Sequence, residues 1–116
     1  MNNRVEYKEY ANQLGVQMRK GLLVYCVLLI CGKKEACSSD IIQALQDSSL
    51  VVVEGTMYPL LNRLQKDGLL FHYWKEATHG PPRKYYHLSG VGREVLRELQ
   101  HINRQLQAAT ITIEKA

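Results

Sequence analysis

Several things are scarce in this chain, and each scarcity excludes a class. Cysteine occurs three times, at 26, 31 and 37, an odd number without paired spacing, so no disulfide framework is written into the sequence. Free thiols that pack as small hydrophobes in a reducing compartment are the plain reading. The longest apolar run, residues 22–31, is ten residues, about half of what a bilayer span needs. It is preceded by charge, as in a signal peptide, but Gly32-Lys33-Lys34-Glu35 follows it and no small-residue cleavage site does. A buried core helix in a cytoplasmic protein, with no membrane partner, is therefore expected.

No internal repeat or low-complexity stretch is visible. There is no nucleophile elbow, no phosphate-cradling glycine loop and no metalloprotease helix, so an enzyme reading has nothing to rest on. The histidines, at 72, 79, 87 and 101, are scattered. His72 and His87 could meet across a hairpin, but two histidines without a third ligand make a poor metal site. Neither a metal nor a cofactor is expected.

What is present is an ordinary globular composition, 46% hydrophobic and 22% charged, over 116 residues. That is one domain with room for a single modest core. The net charge of +4 mildly favours an anionic partner.

Residues 4–14 are weakly amphipathic, with Val5, Ala11 and Leu14 among polar neighbours; a helix there must dock on something, such as a partner subunit. Residues 16–31 are dense in Leu, Val and Ile, and Gly32 is the natural stop for that helix. Being apolar over most of its circumference, the helix should lie inside the domain or between two of them. Ser38-Ser39-Asp40 opens a second helix, a serine hydroxyl serving as its cap and Asp40 sitting at the positive end of the dipole. Asp47-Ser48-Ser49 ends it, and residues 50–53 form a short strand or an extended lead-in.

The third helix begins at Glu54-Gly55-Thr56. Met57, Leu60, Leu61 and Leu64 make its apolar stripe, and Gly68 ends it. Thr56, Tyr58, Pro59, Asn62, Arg63 and Lys66 make a second face, polar and positive, of the kind a recognition helix presents to a major groove. Residues 69–76 and 83–88 read as hairpin strands with a long tip between them, since Gly80-Pro81-Pro82 cannot continue a strand. Within the hairpin Tyr85 and Tyr86 should point to opposite faces, and Trp74 should pack against a cross-strand neighbour. Residues 56–87 hold five Lys or Arg against two acids, +3 of the chain's +4.

Ser89 caps a last helix. Along it Val91, Val95, Leu99, Ile102, Leu106 and Ala109 recur as a heptad-like seam of about 19 residues, roughly 28 Å. That is more than three short helices and a hairpin can cover, and a twofold dimer would bury the surplus. The expected class is mainly α with a small β-hairpin: a winged helix-turn-helix over residues 1–89, joined to a C-terminal dimerisation helix over residues 90–116.

Gly55-Thr56-Met57-Tyr58-Pro59-Leu60-Leu61, Arg63-Leu64, Gly68-Leu69, then Gly80-Pro81-Pro82-Arg83-Lys84-Tyr85-Tyr86-His87-Leu88 and Gly92-Arg93, in this order and spacing, resemble the PadR family of transcriptional regulators. The resemblance covers residues 19–97 and is to the compact subfamily with a single C-terminal helix. It implies a homodimeric repressor on a pseudo-palindromic double-stranded operator, with a small-molecule effector as a possible further partner. It also implies that Thr56, Tyr58, Pro59 and Arg63 face DNA, with Asn62 and Lys66 on the same face. Arg83 and Lys84 would lie in the wing with Lys75, and Ser38 and Ser39 would stand where many relatives have Gly-Tyr. Some compact relatives hold flat aromatic drugs between stacked tryptophans, but residues 91–116 contain no aromatic, which speaks against that device here. Two other readings are a winged-helix protein-interaction module without DNA binding and a thiol- or metal-sensing winged-helix repressor.

Overall fold

A computed structural model describes residues 4–50, 52 and 54–116. Among them the order is α1 (Arg4–Lys33), α2 (Ser38–Asp47), α3 (Glu54–Lys66), β1 (Leu70–Lys75), β2 (Arg83–Leu88) and α4 (Gly90–Lys115). This is the expected mainly helical chain with one antiparallel hairpin and a long last helix. The extended run expected at residues 50–53 falls partly outside the described residues; Leu50 and Val52 lie in no helix or strand.

The first helix differs from expectation. It is one rod of 30 residues that passes through Gly15, Gly21 and Gly32 and ends at Lys33. An interior glycine costs a helix about 1 kcal/mol relative to alanine and does not break it. Gly32 is therefore no stop. A Cβ there would stand 3.0 Å from Leu88 Cδ1 and 3.2 Å from Leu96 Cδ2, so the glycine lets α1 approach β2 and α4 closely. By length and composition Glu6–Lys33 could cross a bilayer. In this fold its C-terminal third instead carries Val27, Leu28 and Cys31 into the core, while Leu14, Met18 and Leu22 remain exposed.

The cap of α2 also differs. Cys37, not a serine, is the N-cap residue, and its backbone N–H donates to the Asp40 carboxylate at 3.2 Å. The Asp40 side chain thereby reaches back to satisfy the N–H of the cap residue itself. Ile41 and Leu45 are the buried face of α2, and the helix closes through Ser49 in the left-handed region (φ 66°) with Leu50 N–H bonded to Leu45 C=O at 2.8 Å. The third helix stops at Gly68 (φ 80°), where Leu69 N–H bonds to Leu64 C=O at 2.9 Å.

The hairpin register pairs Leu70 with Leu88, His72 with Tyr86 and Trp74 with Lys84 on one face. Phe71 with His87, Tyr73 with Tyr85 and Lys75 with Arg83 make up the other. Tyr86 is buried and Tyr85 half-buried, as alternation requires. His72 and His87 lie on opposite faces and do not meet: His72 Nδ1 touches Gln65 of α3, and the His87 ring stacks on Phe71 with centroids 5.2 Å apart. Ala36, between α1 and α2, adds a single bridge to the outer edge of β2, with Tyr86 N–H to Ala36 C=O at 2.8 Å and the return bond at 3.3 Å. The wing is thereby stitched to the end of α1.

Ser89 caps α4 as expected, its hydroxyl accepting from Gly92 N–H at 2.9 Å and donating to Gly68 C=O at 2.6 Å. The core joins Val27, Leu28, Ile41, Leu45, Met57, Leu61, Leu64, Leu70, Tyr86 and Leu88. From α4 only Val95, Leu96 and Leu99 pack against it, half-buried. Beyond them the helix leaves the core and, among the described residues, borders only α1, and the molecule measures 54 × 32 × 23 Å. Its radius of gyration, 17.1 Å, exceeds the roughly 13 Å of a self-contained domain this long.

Candidate nucleic-acid interface

The two faces of α3 divide as its sequence requires. Met57, Leu61 and Leu64 are buried and Leu60 is half-buried. Thr56, Tyr58, Pro59, Asn62, Arg63 and Lys66 are all exposed. Pro59 has no N–H for the Gly55 carbonyl, an omission tolerated one turn from a helix start. Arg63 is held only loosely, 3.8 Å from Asp67 one turn on. Its guanidinium is free to reach outward, because an exposed pair at that distance is worth little.

Ser38 and Ser39 sit in the first turn of α2, beside α3. The Ser38 hydroxyl donates to the Tyr58 hydroxyl at 3.3 Å, which ties the start of one helix to the exposed face of the other. Backbone N–H groups at the start of α2 add partial positive charge. The hairpin forms the opposite wall. A concave surface results, lined by Ser38, Ser39, Tyr58, Asn62, Arg83 and Lys84 among others, with Glu54 its acidic member. Donors and cations from three elements thus converge on one hollow.

Lys75 is placed differently from Lys84. It lies on the opposite face of the hairpin, its ammonium paired with Glu35 and 5.2 Å from the centre of the Tyr85 ring. The other Glu35 oxygen is 3.2 Å from His87 Nε2. The side chain is thus engaged beside the α1–α2 connection, away from the concave surface.

Trp74 packs against its cross-strand neighbour Lys84 and edge-on to His72, ring centroids 6.1 Å apart, yet most of the indole stays open. It is 62% exposed, lines the concave surface and carries the Lys84 ammonium 5.4 Å from its ring centre. Register parity with Lys84 was the signal in the sequence. The indole stays open despite these contacts because the hairpin tip projects past the core that covers Leu70 and Leu88.

Residues 27–98 match the family described as transcriptional regulator PadR-like. The chain belongs to that family. A PadR-like transcription factor from Bacteroides fragilis is 50% identical, covering 87% of this chain and 98% of its own, with a TM-score of 0.73. A PadR family regulator from Eggerthella lenta is 28% identical over 94% of this chain and 96% of its own, with a TM-score of 0.85. One from Bacillus cereus is 32% identical over 86% and 98%, with a TM-score of 0.78. The fold is the PadR winged helix, and its role is DNA-binding transcription regulation.

In this PadR-like chain the seam of α4 splits. Val95 and Leu99 are half-buried by the chain's own core, whereas Val91, Ile102 and Leu106 are exposed. Ile102, Leu106 and Leu99 form an apolar groove with Met18, Leu22 and Tyr25 of α1. Met18 is 79% exposed there.

The cysteines do not resemble a sensor. Cys31 and Cys37 are buried and Cys26 half-buried. Burial pushes the Cys31 thiol up to about 12 and raises that of Cys26. Burial, then the neighbouring Tyr58 and Cys31, also raises the Tyr86 hydroxyl. At pH 8 the nucleophilic thiolate of Cys31 is nearly absent, so iodoacetamide should label it at least about tenfold more slowly than in the urea-unfolded chain. Peptide mass mapping of the labelled protein reads this directly. Labelling of native Cys31 at the unfolded rate, with loss of DNA binding, would restore the thiol-sensing reading. Among the described residues no group of three His, Cys, Asp or Glu is placed to hold a metal.

Proposed function

We propose that this PadR-like regulator is a cytoplasmic homodimeric repressor that binds a pseudo-palindromic operator and releases it when a small effector enters the dimer. In this reading residues 1–89 are the winged DNA-binding unit and residues 90–116 the dimerisation helix. Thr56, Tyr58, Pro59, Asn62 and Arg63 address the major groove, with Lys66 near its edge. Ser38, Ser39 and the Tyr58 hydroxyl hold a phosphate, which positions the helix without specifying bases. Arg83 and Lys84 reach the backbone beside the groove. Lys75 acts indirectly, by fixing the wing through Glu35. The observation that carries the reading is the convergence of α2, α3 and the hairpin on one donor-rich concave surface.

The apolar groove between α1 and α4 supports the dimer and the effector site together. Pairing through Val91, Ile102 and Leu106 would cover it, and a small apolar molecule could occupy what remains. Two recognition helices would then meet successive major grooves about 34 Å apart.

Arg63→Ala and Lys84→Ala should each weaken binding to the native promoter by roughly 5- to 100-fold in a gel shift while the dimer persists. Wild-type binding should fall steeply between about 50 and 200 mM salt, because releasing condensed counterions into a more concentrated solution gains less entropy. If both variants bind like wild type, this surface is not the DNA interface; a flat salt response would favour a protein-interaction module instead.

A further inference from the structure

Trp74 is an unspent group in this reading. Along β1 the residues on the α3 side become steadily less covered toward the hairpin tip: Leu70 is buried, His72 half-buried, and Trp74 62% exposed. Core packing accounts for the first, and contact with Gln65 accounts for the second. Neither accounts for an indole held in the open. Its one cross-strand partner is Lys84, whose ammonium lies 5.4 Å from the ring centre.

The pair is amphipathic in a particular way: a flat apolar plate next to a cation, on a wall that also includes Ser38, Glu54, Tyr58, Asn62, Pro82 and Arg83. A nucleic-acid backbone has the complementary pattern, an apolar deoxyribose beside an anionic phosphate. The wall around the pair is mixed, with Pro82 and Tyr86 beside the donors Ser38, Ser39 and Asn62, and its two cations, Arg83 and Lys84, outnumber its one acid, Glu54, which favours an anionic partner.

We propose that Trp74 contacts DNA from the wing, its indole lying against a deoxyribose while Lys84 reaches the adjoining phosphate. The contact carries little sequence information. It clamps the wing onto the backbone flanking the half-site and sets the tilt of α3 in the groove. The inference rests on the proposed DNA-binding surface, and its test separates the two.

Trp74 is the only tryptophan in the chain, so intrinsic fluorescence reports on this residue alone. The full-length protein would be titrated at low ionic strength with a dye-labelled 30-base-pair duplex of mixed sequence, since a backbone contact requires no particular operator. Anisotropy of the dye reads binding, and tryptophan emission with acrylamide quenching reads the indole. Binding should change the emission and lower the quenching constant by about half or more, as the ring leaves water. Trp74→Ala should weaken the duplex by roughly 5- to 50-fold, and Trp74→Phe should recover most of that. The slope of log affinity against log salt should stay unchanged in Trp74→Ala but flatten by about one in Lys84→Ala.

A duplex that binds while emission and quenching stay constant overturns the inference and leaves the DNA-binding reading standing. Equal affinity of Trp74→Ala and wild type overturns it as well. Should the alanine variant not fold, the wild-type fluorescence still decides. No binding of any duplex at low salt overturns both.

Discussion

Replacing Ile102 and Leu106 together by aspartate should convert the protein to a monomer and weaken its binding to a two-half-site operator by at least about a hundredfold. Both side chains are exposed, 44% and 61%, so neither supports the fold of the isolated chain. In a dimer they would lie on the twofold seam, where two carboxylates per chain would meet apolar surface and each other, and burying unpaired charge costs several kcal/mol. The affinity loss follows from multivalency. A dimer binds its second half-site intramolecularly, which adds about 10²–10⁴ in apparent affinity, and a monomer forfeits that factor. Analytical ultracentrifugation reads the first effect, and gel shifts with whole and half operators read the second. A variant that sediments as a dimer would remove α4 from the interface. A monomer that holds the whole operator as tightly as wild type would separate dimerisation from recognition.

The largest effect on stability should come from Gly92→Ala, about 3 kcal/mol or more by urea denaturation. The position is buried in the first turn of α4, and a Cβ there would stand 2.2 Å from the carbonyl oxygen of Leu69 and 3.1 Å from its carbon. That carbonyl cannot step aside cheaply, because it already accepts from Ser89 N–H at 3.0 Å and begins the strand that carries Leu70 into the core. The helix must instead lift off the hairpin and take the Ser89 cap with it. Gly90→Ala, two residues earlier with nothing within 4 Å, is the control and should change stability little. Midpoints should be compared at one protein concentration, since dimerisation shifts them. A Gly92→Ala midpoint equal to that of wild type would mean that the close approach of α4 to Leu69 is not maintained in solution.

Where the sequence could be read and where it could not follows from the range of the forces involved. The faces of α3 were legible because a 3.6-residue period leaves Met57, Leu61 and Leu64 on one side within four turns. The stops at Gly68 and Ser49 and the cap at Ser89 were legible because turn and cap chemistry is local. The length of α1 was not, because glycine lowers helix propensity by an amount that distant packing readily overrides. Gly32 illustrates this: its small size serves Leu88 and Leu96, residues more than fifty positions away. The Ala36 bridge was hidden for the same reason, as a single pair between distant segments carries no periodicity. The cap position of α2 fell on Cys37, whose N–H donates to the Asp40 carboxylate, a reach back over three residues that the serine reading did not include. Among the site residues, those on α3 were where the alternation put them, whereas Lys75 and Trp74 depended on which hairpin face the core covers.

That same Ala36 bridge gives α1 a mechanical meaning. The helix is a rod of 30 residues, about 45 Å long. Its middle lines the groove with α4, and three residues past its end the chain is fastened by two hydrogen bonds to the wing strand. Were α1 to pivot rigidly at the groove, the wing strand would be displaced by an amount that grows with distance from the pivot. Five degrees over 20 Å is roughly 2 Å, enough to break a hydrogen bond at the far end. The groove and the wing are joined through one alanine.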